Sequence, residues 1–269
     1  MNAIEGLQRL AEKLSAAYSP EESRFLAKVF VEARTGTRWP LIKTMDAAAM
    51  ERIERDDLPR LLAGEPYQYV LGDAPFLDFF VAVNPDVLIP RPETEELAQK
   101  AVALWRQTGG AVMDVGTGSG CLAIALARAG ARVYAVEPSA EALALARQNA
   151  LRLCPQNPPT FIAGRIEDLT APPECGLVVS NPPYVPPDFP ISSRVRDFEP
   201  HLALFTPPGD PLYFYRHIAQ KTRFLKILFE VHEQYAHEVA EYLSKIGLMN
   251  VCVEKDFRGN FRFVGAERS

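Results

Sequence analysis

The residues best placed to do chemistry lie at Ser180-Asn181-Pro182-Pro183-Tyr184, directly after the apolar run Leu177-Val178-Val179. Each proline fixes its own φ and pushes the residue before it toward extended geometry, so Asn181 and Pro182 form a stiff rim. The Asn181 side-chain oxygen and the Pro182 carbonyl can each accept one hydrogen of a substrate NH2. Held that way, a planar nitrogen presents its lone pair for in-line displacement on a methyl donor. An amide nitrogen is a poor nucleophile because its lone pair is conjugated with the carbonyl. Orientation and desolvation by a rigid site must then supply the rate, without a strong base. Tyr184 can stack on the planar target group. Alone, the segment also fits a proline-stiffened loop with a capping Asn.

A second constellation makes that plainer reading the weaker one. Asp114-Val115-Gly116-Thr117-Gly118-Ser119-Gly120 follows an apolar run and opens an Ala/Leu-rich stretch. Glycines there let the backbone turn sharply and approach a ligand closely. The carboxyl end of a parallel strand is where open α/β sheets bind ligands. The next apolar run ends in Glu137, whose carboxylate can accept hydrogen bonds from both hydroxyls of a ribose. The GxGxG spacing differs from the dinucleotide GxGxxG, which sets a pyrophosphate on a helix N-terminus. S-adenosylmethionine has no phosphate, and its amino-acid part needs an acceptor as well as amides. Asp114, just ahead of the glycines, can serve that need directly or through water. The cofactor expected is therefore S-adenosylmethionine, leaving as S-adenosylhomocysteine.

A third segment, Leu88-Ile89-Pro90-Arg91-Pro92-Glu93-Thr94-Glu95-Glu96, puts two prolines around Arg91 ahead of a helix start. It is expected to form part of the pocket wall, with Arg91 among the residues that bind substrate, although an interdomain corner with a capped helix fits it equally well. The four histidines lack an evident nucleophile or metal partner. Glu199-Pro200 could line a pocket, but a charged loop is the default. Cys121, Cys154, Cys175 and Cys252 show no CxxC pair and no His at zinc spacing, so no metal is expected.

The elements that must position these residues fall into three groups. Residues 1–73 carry apolar positions at three- and four-residue steps from Gly6 to about Leu62, a helical docking domain with no chemistry of its own. Ser19-Pro20-Glu21-Glu22 reads as a helix start. Residues 74–90 read as a β-hairpin linker, its strands Phe76–Val83 and Val87–Ile89 separated by Asn84-Pro85-Asp86. From 91 to 269, helices alternate with candidate strands at Ala111–Val115, Arg132–Glu137, Thr160–Ala163, Leu177–Ser180, Lys226–Val231, Val251–Glu254 and Arg262–Val264. That order predicts a doubly wound, seven-stranded, mostly parallel α/β sheet. Only a short turn joins the last two strands, which makes them an antiparallel hairpin.

Of 269 residues, 48% are hydrophobic and 23% charged, enough for a packed core, and the formal charge is -5. A protein that grips phosphate backbones gains its affinity from Lys and Arg, so a stable nucleic-acid partner is not expected. No apolar stretch approaches the roughly 18 residues of a membrane span. A cytoplasmic monomer is the default.

Together these motifs resemble one group closely, the bacterial-type glutamine N(5)-methyltransferases of peptide chain release factors, the PrmC/HemK family. The resemblance rests on Gly64-Glu65-Pro66-Tyr67-Gln68-Tyr69-Val70-Leu71-Gly72, Ile89 to Glu95, Asp114 to Gly120, Ser180 to Tyr184 and Val195-Arg196-Asp197-Phe198-Glu199-Pro200. It implies a class I, Rossmann-like methyltransferase domain behind a helical domain that helps dock the release factor. The implied substrate is the glutamine of that factor's Gly-Gly-Gln loop. Gly116 to Gly120 and Glu137 would bind the cofactor, and Asn181 through Tyr184 would receive the glutamine amide. Ile166 falls at the family's adenine contact, beside Arg165, where the family usually has an acid.

Overall fold

A computed structural model describes residues 3–37, 47–168 and 175–268. Two helices open the chain, α1 (Ala3–Leu14) and α2 (Pro20–Thr35). Ser19 sets the start of α2 through a capping box. Its hydroxyl accepts from Glu22 N at 3.3 Å, while the Glu22 carboxylate accepts from Ser19 N at 3.2 Å. Gly36, at φ 67°, closes the helix in the left-handed conformation. Residues 38–46 of the expected helical run lie outside the described residues. Three short helices follow: α3 (Ala47–Arg52), α4 (Leu58–Leu62) and α5 (Tyr67–Leu71). Leu10, Leu14, Leu26, Phe30, Ile53 and Leu61 form their shared core. The buried Asp57 accepts two hydrogen bonds from the Arg34 guanidinium, at 2.8 and 2.7 Å. This pairing answers the cost of burying a charge.

The chain divides into two compact units. The first runs through Asp73 and takes in the later helix Ser193–Phe198; the second comprises Ala74–Ser192 and Glu199–Ser269. Within the first unit the Arg194 guanidinium lies 4.2 Å from the centre of the Tyr18 ring. Nothing local in Ser193–Phe198 signals that it packs with residues far earlier in the chain.

A hairpin of β1 (Asp73–Phe76) and β2 (Phe79–Ala82) follows, all but its first residue, Asp73, belonging to the second unit. This corrects the expected strand pair. The run Phe76–Val83 is broken by a turn at Leu77, which takes φ 52° without being glycine. Asn84-Pro85-Asp86 does turn, with Val87 N donating to Asn84 O at 3.1 Å. Val87–Ile89 is nevertheless not a strand, and Ile89 N donates to the Glu199 carboxylate instead of a ladder.

Helix α6 (Pro92–Thr108) leads into a seven-stranded sheet. In chain order its strands and the helices between them are β3 (Ala111–Val115), α7 (Cys121–Arg128), β4 (Val133–Glu137), α8 (Ala140–Leu153), β5 (Thr160–Ala163) and β6 (Cys175–Ser180). Then come α9 (Ser193–Phe198), α10 (His201–Leu204), α11 (Tyr213–Lys221), β7 (Lys226–Glu230), α12 (Ala236–Lys245), β8 (Met249–Lys255) and β9 (Phe261–Glu267). The spatial order is β5-β4-β3-β6-β7-β9-β8. The first five are parallel, and β9 runs antiparallel to both β7 and β8. Every residue of β3 and β6 is buried, as expected of central strands covered on both faces. The apolar core runs through Met113, Val178, Ile218, Ile227, Phe229 and Val264.

Parallel strands bring their carboxyl ends to one edge of the sheet. Asp114 and the glycine loop, Glu137, Gly164 to Ile166, Asn181 and Glu230 therefore converge there, around the point where the chain reverses its winding between β3 and β6. Asn149 on α8 ties the hairpin to this edge. Its Oδ1 accepts from Ala82 N at 2.8 Å, and its Nδ2 donates to Ala82 O at 3.0 Å and Ser119 O at 2.9 Å.

Candidate functional site

A cavity of about 460 Å³ opens at the carboxyl edge of the sheet. Asp114, Gly116, Thr117, Gly118, Ser119, Glu137, Ile166, Asn181, Pro182 and Pro183 all line it. Gly120, Arg91 and Tyr184 do not. Gly120 caps α7, where an added Cβ would come within 3.2 Å of Ala146 Cβ, so its lack of a side chain serves helix packing. Arg91 turns to Glu199, with a 2.5 Å contact. Its neighbours Pro90 and Thr94 reach the wall instead.

The glycine loop is shaped by its own backbone. Gly116 and Gly118 sit at φ 77° and 54°, where L side chains are strained, and a Cβ at either would meet nothing within 4 Å. That open space is the kind of cradle a ligand fills. Gly118 N donates to Glu137 Oε2 at 2.9 Å, and Ser139 N donates to Oε1 at 3.1 Å. Each oxygen keeps lone-pair capacity for a further donor, as a ribose diol requires. Burial nonetheless pushes the Glu137 carboxyl above its ordinary range, with these two amides pulling the other way. Asp114 accepts from the Thr117 hydroxyl at 2.7 Å, and burial pushes its carboxyl up to about 7.

The Asn-Pro-Pro corner lines the same cavity, following the neighbouring strand β6. Ser180 Oγ donates to Val115 O at 2.6 Å, pinning the end of β6 to that of β3. Asn181 Nδ2 donates to Thr94 Oγ1 at 3.0 Å, and Thr94 Oγ1 donates to Glu230 Oε2 at 2.8 Å. The Tyr184 hydroxyl donates to the other oxygen, Glu230 Oε1, at 3.3 Å. Thr94 and Glu230 are both buried. Burial pushes the Glu230 carboxyl up to about 7, opposed by Thr94, Arg262 and Tyr184. The Tyr184 phenol is likewise raised by burial. Its ring packs against the core and edge-on to His232, with centroids 6.1 Å apart.

The motifs in the sequence assign no site role to Thr94, Glu230 or Asn149. Glu230 carried the signal that singled out Glu137, a carboxylate closing an apolar strand. Thr94 was visible only as part of a helix start. Glu199 is a correction: it is 4% exposed, and it holds both Ile89 N and Arg91. Near β5, Arg165, Ile166 and Glu167 all line the cavity, and the Tyr213 hydroxyl donates to the Glu167 carboxylate. Among the described residues, no group of three or more His, Cys, Asp or Glu could hold a metal ion. None of the described helices is long and apolar enough to cross a membrane.

Residues 112–190 match the family model of a methyltransferase domain. Among solved structures, the hMettl16 catalytic domain, in complex with the MAT2A 3'UTR hairpin 6, shares the fold. It is 14% identical with a TM-score of 0.55, over 90% of this chain and 91% of that one. Sequence relatives stand nearer. The release factor glutamine methyltransferase of Flavobacterium psychrophilum is 39% identical over 223 residues, 77% of each chain. That of Bacteroides thetaiotaomicron is 35% identical over 285 residues, spanning the whole of both chains. With its fold, its cavity and this end-to-end match, the chain belongs to the release factor glutamine methyltransferases.

Proposed function

We propose that this enzyme methylates the side-chain amide nitrogen of the glutamine in the Gly-Gly-Gln motif of peptide chain release factors, with S-adenosylmethionine as donor. The observation that carries this reading is one cavity lined both by the glycine loop and Glu137 and by Asn181 and Pro182. S-adenosylmethionine supplies, when bound, a sulfonium methyl carbon and a neutral thioether leaving group. Gly116 and Gly118 would leave it room, Glu137 would take its ribose hydroxyls, Asp114 its amino-acid part, and Ile166 its adenine.

Asn181 Oδ1 and the Pro182 carbonyl each accept one hydrogen of the target amide, directing the nitrogen lone pair at the methyl carbon. With the cofactor bound, the nitrogen would bond to the methyl carbon as the carbon–sulfur bond breaks, and the proton lost from the methylated amide would pass to solvent water. No group at the rim is a strong base. The rim's contribution is placement and exclusion of water, which can supply a large share of a barrier reduction. The enzyme acts in this reading as a single chain in the cytoplasm, with no stable nucleic-acid partner.

Calorimetric titration tests the cofactor, with binding expected for S-adenosylmethionine and S-adenosylhomocysteine and none for NAD. Methyl-labelled cofactor tests the acceptor. Label should enter an intact release factor and not duplex DNA, and the converse pattern would overturn the substrate assignment.

A further inference from the structure

We propose that Glu230 is a positioning residue for methyl transfer: acting through Thr94, it fixes which end of the Asn181 carboxamide faces the substrate. This deepens the role given to Asn181 above and rests on it. The residues come together only through the fold. Asn181 follows the last residue of β6, Glu230 ends β7, and Ser180 pairs with Phe229 in the parallel ladder, so Asn181 and Glu230 are the next positions along neighbouring strands. Thr94 reaches both from the first turn of α6.

The argument is one of donor and acceptor counting. An ionised carboxylate only accepts, so the Thr94 hydroxyl must spend its single hydrogen on Glu230 Oε2, at 2.8 Å. Thr94 Oγ1 then has only lone pairs for its other neighbour. Asn181 must answer with its NH2, at 3.0 Å, and its Oδ1 is left for the amide hydrogen of the target. The Tyr184 hydroxyl donates to Oε1 and gives the carboxylate a second fixed partner.

A proton on Glu230 Oε2 removes this constraint. The carboxyl could donate to Thr94, Thr94 could donate to Asn181 Oδ1, and the carboxamide would turn its NH2 toward the substrate. Two NH2 groups would then face each other where an acceptor is needed. The ionised acid permits one polarity, and the neutral acid permits both.

Several groups surround Glu230. Glu93 and Thr94 come from α6, Tyr184 from the loop after β6, Tyr215 from α11, and Arg262 from β9, where Asp256 holds it; Cys121 and His232 lie nearby. Burial pushes Glu230 up to about 7 and Cys121 up to about 12, and it raises both tyrosines. His232 is pushed below the ordinary imidazole range, mainly by burial. The kcat should therefore fall several-fold as pH drops through about 7, following one proton.

The test measures kcat against pH with release factor and S-adenosylmethionine both saturating, in wild type, E230Q, T94V, T94S and N181A. S-adenosylhomocysteine affinity serves as the check on folding. Glutamine can present either its oxygen or its NH2 to Thr94, so E230Q should hold the acid-side kcat of wild type at every pH. T94V cuts the relay and should lose about ten-fold in kcat, with no limb near neutrality and cofactor affinity unchanged. T94S keeps the hydroxyl and should restore both the rate and the limb. If E230Q and T94V keep the wild-type rate and limb while N181A is impaired, the relay is overturned and the role of Asn181 stands. If N181A itself turns over normally, the reading of Asn181 fails and the relay falls with it. A limb that persists in E230Q belongs to another group, such as Asp114 or His232, and overturns the role of Glu230.

Discussion

At the residue scale, the glycine loop and the asparagine corner should make separable contributions. Gly118→Val places a branched side chain in the ligand's space, at a φ of 54° that valine resists, and should abolish measurable S-adenosylhomocysteine binding in a folded protein. Glu137→Ala should weaken binding more modestly, by roughly 1.5–3 kcal/mol, the worth of a charge-assisted hydrogen bond. Unchanged affinity in Gly118→Val would remove the cofactor from this loop. Asn181→Ala should leave cofactor affinity near wild type and reduce turnover on the order of 100-fold, as losing one precisely placed acceptor does. Near-normal turnover would make the corner structural.

The same residues carry a pH signature of stability. Burial raises Asp114 and Glu230 to about 7 and also raises Glu137. A carboxyl whose folded pKa lies above its unfolded value takes up a proton on folding. Its contribution is greatest below the unfolded value and is lost as pH rises through the folded one. The cofactor-free protein should therefore become more stable as pH falls from about 7 toward about 5. Asp114→Asn should flatten that slope. Scanning calorimetry across the range checks this, and a slope of opposite sign would contradict the burial of these acids.

At the element scale, the sequence was legible where chemistry and backbone share a short segment. The strands of the sheet were readable from apolar runs, and Asp114 to Gly120 and Ser180 to Pro183 from glycines and prolines whose backbone consequences are local. Contacts between segments were not readable. Thr94 and Glu230 are separated by 136 positions, and Arg91 and Glu199 by 108, and no local pattern couples them. The hairpin was misread for a related reason. Leu77 turns the chain at positive φ without the glycine or asparagine that marks such a position, so two short strands passed for one. Asn149 shows what such long-range contacts do. It satisfies three backbone groups of the hairpin and the glycine loop at once. Asn149→Ala should destabilise the second unit on the order of 1–3 kcal/mol by leaving buried polar groups unpaired. Denaturant unfolding followed in the second unit would expose the error if the midpoint did not move.

At the scale of the whole molecule, a cavity that takes a planar NH2, as proposed above, cannot by itself choose between a glutamine amide and an amino group on a base. The choice must come from access and from surfaces beyond the pocket. A glutamine on an exposed loop can enter a narrow site, and the net charge of -5 works against a phosphate backbone following it in. An isolated Gly-Gly-Gln peptide should accordingly be a much poorer substrate than the intact factor. The most direct measurement is tandem mass spectrometry of an intact release factor after incubation with the enzyme and S-adenosylmethionine. A single methyl on the side-chain nitrogen of the Gly-Gly-Gln glutamine, lost with Asn181→Ala, is the predicted result. A methyl on any other residue, or none on that glutamine, would contradict the account.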